Sequence, residues 1–295
     1  MRFATYSHDD ILSVAVEASD GTQLDLTTAG IADELVTLIQ NWPSTADKLR
    51  SLVANPGDCP RIADRAQRAA PIPRPLRNIF CVGKNYREHA KEFGQSGFDG
   101  GATGGNEVPD FPIIFSKATT SVIGPDAAVP SASDPYDTLD YEGELGVIIG
   151  LGGKDIAPSN AAQHIFGYTI INDVTAREVQ KLHKQWLLGK GADGLCPMGP
   201  VVVTADEIGD VAALRLQTSV NGELRQDALV ADLIFDIPTL IATISRYITL
   251  LPGDIIATGT PAGVGIGFDP PRFLKTGDHV AVSISRIGEL NNMIA

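Results

Sequence analysis

The sequence has few of the residues that build disulfide frameworks or zinc sites. Its three cysteines, Cys59, Cys81 and Cys196, lie at unrelated spacings without a CxxC pair, and four of its five histidines show no ligand spacing. A disulfide-stapled fold and a Cys/His zinc site are therefore not expected, and a reducing compartment fits. The chain also lacks an apolar run of signal-peptide or membrane-span length. We expect a cytoplasmic protein.

Positive charge is scarce as well. The chain has 23 Lys and Arg residues against 36 Asp and Glu residues, which gives a formal net charge of −13. Such a surface repels phosphate backbones and anionic lipid, so neither nucleic acid nor a membrane is expected as a partner. An anionic small molecule would have to be attracted by local cations, such as a bound metal ion and a few lysines.

The N-terminal part of the chain differs in pattern from the rest. Residues 1–70 are expected to form a small α/β domain with a hairpin around Asp9 and Asp10, a third strand and two amphipathic helices. Residues 71–77 are rich in proline, which sustains neither a helix nor a central strand. We interpret them as a linker.

Residues 78–295 contain mainly strand patterns separated by turns. Asn221 and Gly222 stand between two alternating segments, which is the strongest short-range signal for a tight hairpin. Helical patterns are fewer and do not alternate regularly with the strands. The mixture predicts a β-rich α+β fold with a rolled or sandwiched sheet rather than repeated βαβ units.

Two glutamates in the segment "DYEGELGVIIG" carry the clearest chemical signal. Glu142 and Glu144 are two residues apart in a predicted strand, so both side chains project from the same face. They could lie on a solvent-exposed face, but the apolar run that follows favours a strand inside the sheet. Like charges in a partly dry site need a counter-charge, and a divalent cation supplies it. All-oxygen ligands favour Mg²⁺, Mn²⁺ or Ca²⁺ over Zn²⁺.

Three other acid–base residues each have two interpretations. Asp173 follows an apolar strand and precedes a helical pattern, so it is either a metal ligand or a helix N-cap, and the residue alone favours the cap. His89 and Glu92 lie at i, i+3 on one helical face. They could form a general-base dyad in which the carboxylate orients the imidazole, but without context an ordinary surface helix is favoured.

Candidate binding residues lie in or beside glycine-rich and strand-end segments. Lys190 in "WLLGKGADG" and Lys117 in "IIFSKATT" could hold a substrate anion or could be solvated lysines. Thr260 lies in "GDIIATGTPAGVGIG", which lacks the following helix that a phosphate-binding loop requires and is better explained as a tight loop lining a pocket. The glycine-rich residues 94–110 are either a disordered loop or a lid next to a site.

Taken together, seven motifs in this order resemble the fumarylacetoacetate hydrolase family, in particular the branch of its domain-containing protein 2. They cover nearly all of residues 78–295 and are "GKNYREHAKE", "PIIFSK", "DYEGELGVIIG", "GYTIINDVTAREVQ", "LGKGADGLCPMGP", "VNGELRQ" and "LLPGDIIATGTPAGVG". The chain departs from the family pattern where Gly191 replaces a serine and where Glu178 gives "ARE" instead of "ARD". The glycine removes a hydroxyl group from the pocket.

The resemblance implies a mixed β-roll catalytic domain, a Mg²⁺ or Mn²⁺ ion, a small anionic 2-oxo acid as substrate and usually a homodimer. It also implies roles for nine residues. The metal ligands would be Glu142, Glu144 and Asp173, which overrules the N-cap interpretation of Asp173; the catalytic residues would be His89, Glu92 and Lys190; and the substrate-binding residues would be Arg177, Gln180 and Thr260. Lys117 is a further substrate-binding candidate because of its place at the end of a strand.

The leading hypothesis from the sequence is metal-assisted hydrolysis of a C–C bond in a 2-oxo or 2,4-dioxo acid of the acylpyruvate or fumarylacetoacetate kind. Oxaloacetate decarboxylation and isomerisation of an unsaturated 2-oxo acid of the 2-hydroxymuconate type are alternatives, because they involve the same enolate. A non-catalytic 2-oxo acid binding protein that has kept the metal is the alternative outside enzymology.

Overall fold

Strands dominate the chain, as the alternating sequence patterns predict. The structure is a computed structural model that describes residues 1–98 and 108–295, and in these residues it has seventeen strands and seven α-helices. The strands are β1 (Arg2–His8), β2 (Ile11–Glu17), β3 (Gln23–Asp25), β4 (Gln67–Ala69), β5 (Ile79–Gly83), β6 (Ile113–Lys117), β7 (Val122–Ile123), β8 (Leu139–Asp140), β9 (Gly143–Ile149), β10 (Ile165–Asn172), β11 (Thr175–Ala176), β12 (Cys196–Thr204), β13 (Arg215–Val220), β14 (Glu223–Leu229), β15 (Ile255–Ala257), β16 (His279–Ile284) and β17 (Gly288–Met293). The helices are α1 (Leu35–Gln40), α2 (Trp42–Ala54), α3 (Arg87–Gln95), α4 (Arg177–His183), α5 (Leu187–Lys190), α6 (Ala205–Ile208) and α7 (Ile237–Tyr247).

The largest sheet has the strand order β3-β2-β1-β12-β10-β9-β15-β5-β6, with β4 paired to β1 and β7 paired to β12. Strand β9 lies inside it, between β10 and β15, and all seven of its residues are buried. This explains its sequence: a strand covered on both faces is a continuous apolar run, and a charged residue such as Glu144 is retained there only where it has a specific partner.

The N-terminal hairpin forms as predicted. Strands β1 and β2 pair antiparallel up to His8 and Ile11, and Asp9 and Asp10 both adopt positive φ angles in the two-residue turn. Strand β1 also pairs with β12, so these strands extend the large sheet. The division into a domain of residues 1–70, a linker of residues 71–77 and a domain of residues 78–295 stays a prediction.

A second sheet, of four strands in the order β14-β13-β16-β17, packs beside the beginning of β9. Its first hairpin turns at Asn221 and Gly222, both with positive φ, as the dipeptide predicts. Strands β13 and β16 alternate between buried and more exposed residues, which is the pattern of a sheet with one face against the core.

The helices "NYREHAKEFG", "VTAREVQKLHKQW" and "DIPTLIATISRYIT" are found as α3, α4 and α7. The glycine-rich segment of residues 94–110, predicted to be a loop or a lid, lies partly outside the described residues, which exclude 99–107. Within the described ranges, none of the helices has the length and apolar character needed to cross a membrane.

Candidate functional site

Three buried carboxylates meet where β9 begins and β10 ends. Glu142 directly precedes β9, Glu144 is its second residue, and Asp173 directly follows β10. The antiparallel register pairs Asn172 with Gly143, and the Asp173 N–H donates to the Glu142 carbonyl at 2.8 Å. One carboxylate oxygen from each of the three residues lies within 4.8 Å of the others. The predicted convergence of these residues is therefore observed.

The N-cap interpretation of Asp173 is wrong. Helix α4 begins at Arg177 with Ala176 as its N-cap, and the cap has no side-chain hydrogen bond. Asp173 lies too early to cap it, because the short strand β11 (Thr175–Ala176) comes between them. The side chain of Asp173 is fully buried and accepts from two lysines instead.

Both candidate lysines are buried, so neither is a solvated loop residue. The ammonium group of Lys190 donates to Glu142 Oε2 at 2.7 Å and to Asp173 Oδ2 at 2.9 Å. Lys117 donates to Asp173 Oδ1 at 2.6 Å, to the Val174 carbonyl at 3.0 Å and to the Lys190 carbonyl. These three protein acceptors use all three N–H donors of Lys117. Lys117 therefore lies behind Asp173 and has no N–H group left to donate to a substrate.

Arg177 links Glu142 to a fourth buried carboxylate, Asp140. Its guanidinium approaches Glu142 Oε1 at 2.7 Å and Asp140 Oδ2 at 2.9 Å. Asp140 also accepts from the N–H groups of Gly265 at 2.6 Å and Ile266 at 3.1 Å. Sequence analysis missed Asp140, although its position two residues before Glu142 repeats the alternation of the two glutamates.

The electrostatics differ between the two glutamates. Burial alone would raise the pKa of Glu142, but Lys190 and Arg177 outweigh it and hold that pKa at about 2. Glu144 accepts from the Gly259 N–H at 2.8 Å and has no ion-pair partner among the described residues. Burial, followed by the charges of Asp173 and Glu142, raises its pKa well above the usual value.

A divalent cation fits this donor set. Among the groups joined by the contacts described above, the four carboxylates Asp140, Glu142, Glu144 and Asp173 exceed the three cations Lys117, Arg177 and Lys190 by one charge when all are ionised; buried Lys84 lines the same pocket and is not counted in this cluster. Glu144 is the carboxylate that lacks a cationic partner among the described residues. The hard oxygen donors of the three converging carboxylates suit Mg²⁺ or Mn²⁺. With such an ion the cluster would have one excess positive charge, which complements an acid.

The predicted dyad faces the same site. His89 Nδ1 lies 3.3 Å from Glu92 Oε2, and His89 is only 4% exposed and lines the pocket above the carboxylates. Glu92 accepts from the Gly263 N–H at 3.1 Å. The surface-helix interpretation of α3 therefore fails for His89, because this face of the helix is buried against the loop that contains Gly263.

The pocket that contains these groups is narrow. Gln180 and Thr260 line it, as predicted, and so do Trp186, Phe93 and Phe115, which sequence analysis missed. Its free volume is about 10 Å³, roughly the room that one water molecule needs. The aromatic residues could not be assigned from the sequence, because a lone tryptophan or phenylalanine is usually a core residue.

Two polar side chains in the wall have distinct roles. Gln180 is buried, and its Nε2 has no hydrogen-bond partner in the residues that the structure describes. Thr260 Oγ1 accepts from Gln226 Nε2 at 2.7 Å, while Gln226 Oε1 accepts from the Gly143 N–H at 3.0 Å. Gln226 thus fixes the Thr260 loop to the backbone between the two glutamates.

A family model described as fumarylacetoacetate (FAA) hydrolase C-terminal matches residues 78–295. The chain belongs to the fumarylacetoacetate hydrolase family. The family fold accounts for the β-rich α+β architecture predicted above. Among curated relatives, oxaloacetate tautomerase YisK of Bacillus subtilis (strain 168) is 49% identical over 225 residues, which are 76% of this chain and 72% of the relative.

Solved structures of the fumarylacetoacetate hydrolase family match the whole chain. A fumarylacetoacetate hydrolase from Exiguobacterium antarcticum is 41% identical with a TM-score of 0.83, and the match covers 100% of this chain and 99% of that one. Maleylpyruvate hydrolase from Sphingobium sp. SYK-6, solved with manganese (II) and pyruvate, is 30% identical with a TM-score of 0.79 and the same coverage.

Proposed function

We propose that this protein is a divalent-metal-dependent enzyme that acts on small 2-oxo acids through their enol form, and that it interconverts the enol and keto forms of oxaloacetate. The observation that carries the proposal is the convergence of Glu142, Glu144 and Asp173 around a position where Glu144 lacks a cationic partner among the described residues. The 49% identity to an oxaloacetate tautomerase supports the choice of reaction.

The lining of the pocket supports a small dicarboxylic 2-oxo acid. With a bound divalent cation, the buried charged cluster has an excess positive charge that attracts an anion. Gln180 Nε2 has no hydrogen-bond partner in the described part of the chain, and this donor needs an acceptor oxygen, which a second carboxylate would supply. Trp186, Phe93 and Phe115 enclose the pocket around the carboxylates, and this enclosure favours a compact acid over one with a long tail.

His89 is the group we assign to proton transfer. Conversion of enol to keto removes a proton from the enol oxygen and adds one to C3, so no other reactant is consumed. A cation held by the three carboxylates would polarise the 2-keto oxygen. Glu92 orients the His89 imidazole through Nδ1, which leaves Nε2 for the substrate. Lys190 and Arg177 hold Glu142 ionised and in place.

Hydrolysis of a C–C bond in an acylpyruvate is the second candidate. The pairing of His89 with Glu92 also suits activation of a water molecule, and a neighbour of similar fold is a maleylpyruvate hydrolase solved with manganese and pyruvate. The two reactions share the metal and the enolate. They differ in whether water attacks a distal carbonyl.

The experiment is a side-by-side assay of purified, EDTA-treated protein with Mg²⁺ or Mn²⁺ restored. Loss of enol absorbance from oxaloacetate reports tautomerisation, pyruvate release from oxaloacetate reports decarboxylation, and pyruvate release from acetylpyruvate reports hydrolysis. His89→Ala at the same metal concentration is the control, because free metal ions and buffer also catalyse enol chemistry.

We expect metal-dependent acceleration of enol loss by the parent protein and not by His89→Ala. Pyruvate release from acetylpyruvate as the faster reaction would favour the hydrolase, and pyruvate release from oxaloacetate would favour a decarboxylase. Binding of metal and oxalate without turnover of any of these acids would contradict an enzymatic role and favour a binding protein.

A further inference from the structure

Two aromatic side chains separate the candidate active-site pocket from a larger groove at the surface. Trp186 and Phe115 line the pocket that holds Glu142, Glu144 and Lys190, and the same two residues line a groove of about 880 Å³ outside it. Their rings pack edge to face with centroids 5.2 Å apart. Among the described residues, they are the only two that line both spaces.

Trp186 is packed into this position from the inner side. A Cβ atom on Gly83 would lie 2.5 Å from Cζ3 of the indole, so the indole occupies the space that a side chain at position 83 would need. Phe93 contacts the indole from α3, with ring centroids 6.0 Å apart. Trp186 is nevertheless half-buried rather than fully buried, since its other side faces the groove.

The wall stands directly beside the charged groups of the site. The ammonium group of Lys190 lies 5.1 Å from the centroid of the Phe115 ring while it donates to Glu142 and Asp173. Trp186 is the N-cap residue of the short helix α5, which ends at Lys190, and the Lys190 N–H donates to the Trp186 carbonyl at 3.0 Å. An acid whose 2-oxo acid head is held at the carboxylate cluster would have its tail directed toward the groove. The tail would therefore meet the rings of Trp186 and Phe115.

The groove beyond the wall suits an alkyl chain. Its lining includes the apolar side chains of Leu76, Phe80, Ile114, Leu187 and Ile248. Leu76, Ile114, Leu187 and Ile248 are at least 36% exposed, so this surface would gain from being covered. Its continuity with the pocket through two shared residues places it along the path of a substrate tail.

We propose that Trp186 is the specificity-determining residue that limits the length of the 2-oxo acid, an inference that rests on the proposed function. With the indole in place, Trp186 and Phe115 separate the pocket from the groove and leave no path for a long tail. Without the indole, the pocket opens into the apolar groove and admits 2-oxo acids with alkyl tails. Trp186 thus acts by exclusion and not by contact with the reacting atoms.

The test measures binding of pyruvate and of 2-oxooctanoate by calorimetry in the presence of Mn²⁺. The two acids share the 2-oxo acid head and differ in the tail. The proteins are the parent, Trp186→Ala, Trp186→Leu as the milder change, and Leu188→Ala. Leu188 is an exposed residue of α5, two positions after Trp186, and it lines neither space, so it controls for damage to α5.

We expect Trp186→Ala to raise the affinity for 2-oxooctanoate relative to pyruvate by at least about tenfold, because the tail becomes buried against apolar side chains. Trp186→Leu should shift the ratio in the same direction by less, and it supplies the test by itself if the alanine variant does not fold. Leu188→Ala should leave the ratio unchanged.

An unchanged ratio in the Trp186 variants, or equal weakening of both acids, would overturn the inference and leave Trp186 a structural residue. Equal affinity of the parent protein for both acids would overturn it as well. Failure of the parent to bind pyruvate at all would contradict the proposed function, so the two failures are distinguishable.

Discussion

Replacement of Gly143 by alanine should disturb the candidate metal centre without changing any of its charged side chains. Gly143 lies between Glu142 and Glu144, and its backbone is held by the hydrogen bond from its N–H to Gln226. A Cβ atom at this position would lie 2.3 Å from Thr218 Oγ1 and 3.0 Å from Val282 Cγ1. The four-stranded sheet is therefore packed directly against this glycine.

The expected cost follows from that contact. A methyl group forced into a packed interior costs about 1–3 kcal/mol, because backbone and side chains must shift to accommodate it. Here the shift would move the beginning of β9 away from the second sheet and carry both glutamates with it. We therefore expect Gly143→Ala to lower the free energy of unfolding by about 1–3 kcal/mol and to weaken Mn²⁺ binding.

Replacement of Thr218 by alanine should restore part of the stability that Gly143→Ala loses. The Thr218 hydroxyl is buried and has no hydrogen-bond partner in the described part of the chain, so Thr218→Ala removes the clashing oxygen without breaking a bond. The double variant should recover about 1–2 kcal/mol of stability, since residues in contact couple by about 0.5–3 kcal/mol. Urea unfolding of the four proteins of this cycle measures the coupling, and calorimetry measures Mn²⁺ binding.

Gly94→Ala is the matched control for the glycine change. A Cβ atom at Gly94, in helix α3, would meet nothing within 4 Å among residues 1–98 and 108–295, so this variant should be as stable as the parent or slightly more stable. The reasoning is refuted if Gly143→Ala unfolds at the parental urea concentration, or if Thr218→Ala fails to restore stability to it.

Three further predictions concern the charged residues. His89→Ala should keep metal binding but lose about 10²–10⁴-fold in turnover, and parental turnover in a metal-loaded rate assay would contradict the proton-transfer assignment. Arg177→Met should lower the free energy of unfolding by about 3–5 kcal/mol, because Asp140 is left as a buried charge without its cation; a change below 1 kcal/mol in urea unfolding would contradict this. The raised pKa of Glu144 gives metal-free protein a contribution to stability that is fully present below the ordinary glutamate pKa and is lost as pH rises through the raised value, by up to about 1.4 kcal/mol per pH unit. The lowered pKa of Glu142 acts in the opposite direction only below the ordinary glutamate pKa, so it does not oppose this fall. Thermal unfolding across pH checks this, and saturating Mg²⁺ should remove the fall; a metal-free protein that becomes more stable through this range would contradict it.

The sequence was sufficient for those parts of the site that depend on local geometry. The alternation of a strand places Glu142 and Glu144 on one side, and the i, i+3 spacing of a helix places His89 beside Glu92. The Asn221-Gly222 dipeptide predicts its hairpin because its two positive φ angles are a property of the dipeptide itself.

What the sequence left open depends on how distant segments pack. Asp173 meets the glutamates through the register of β9 and β10, which no local pattern encodes. The role of Lys117 could not be decided from the sequence, because its three acceptors belong to Asp173, Val174 and Lys190, which are distant along the chain. Trp186 could not be assigned for the same reason, since an aromatic wall is recognisable only in three dimensions. Asp140 did have a sequence signal, its place two residues before Glu142, but its pairing with Arg177 is visible only in the fold.

The most direct test of a cation at the carboxylate cluster is titration calorimetry of Mn²⁺ into EDTA-treated protein, for the parent and for Glu144→Gln. The amide keeps the shape of the side chain and an acceptor for the Gly259 N–H but removes the charge. We predict one binding event per chain in the parent and an affinity lower by more than about a hundredfold in the variant. Absence of Mn²⁺ binding by the parent, or equal affinity in the variant, would contradict the account.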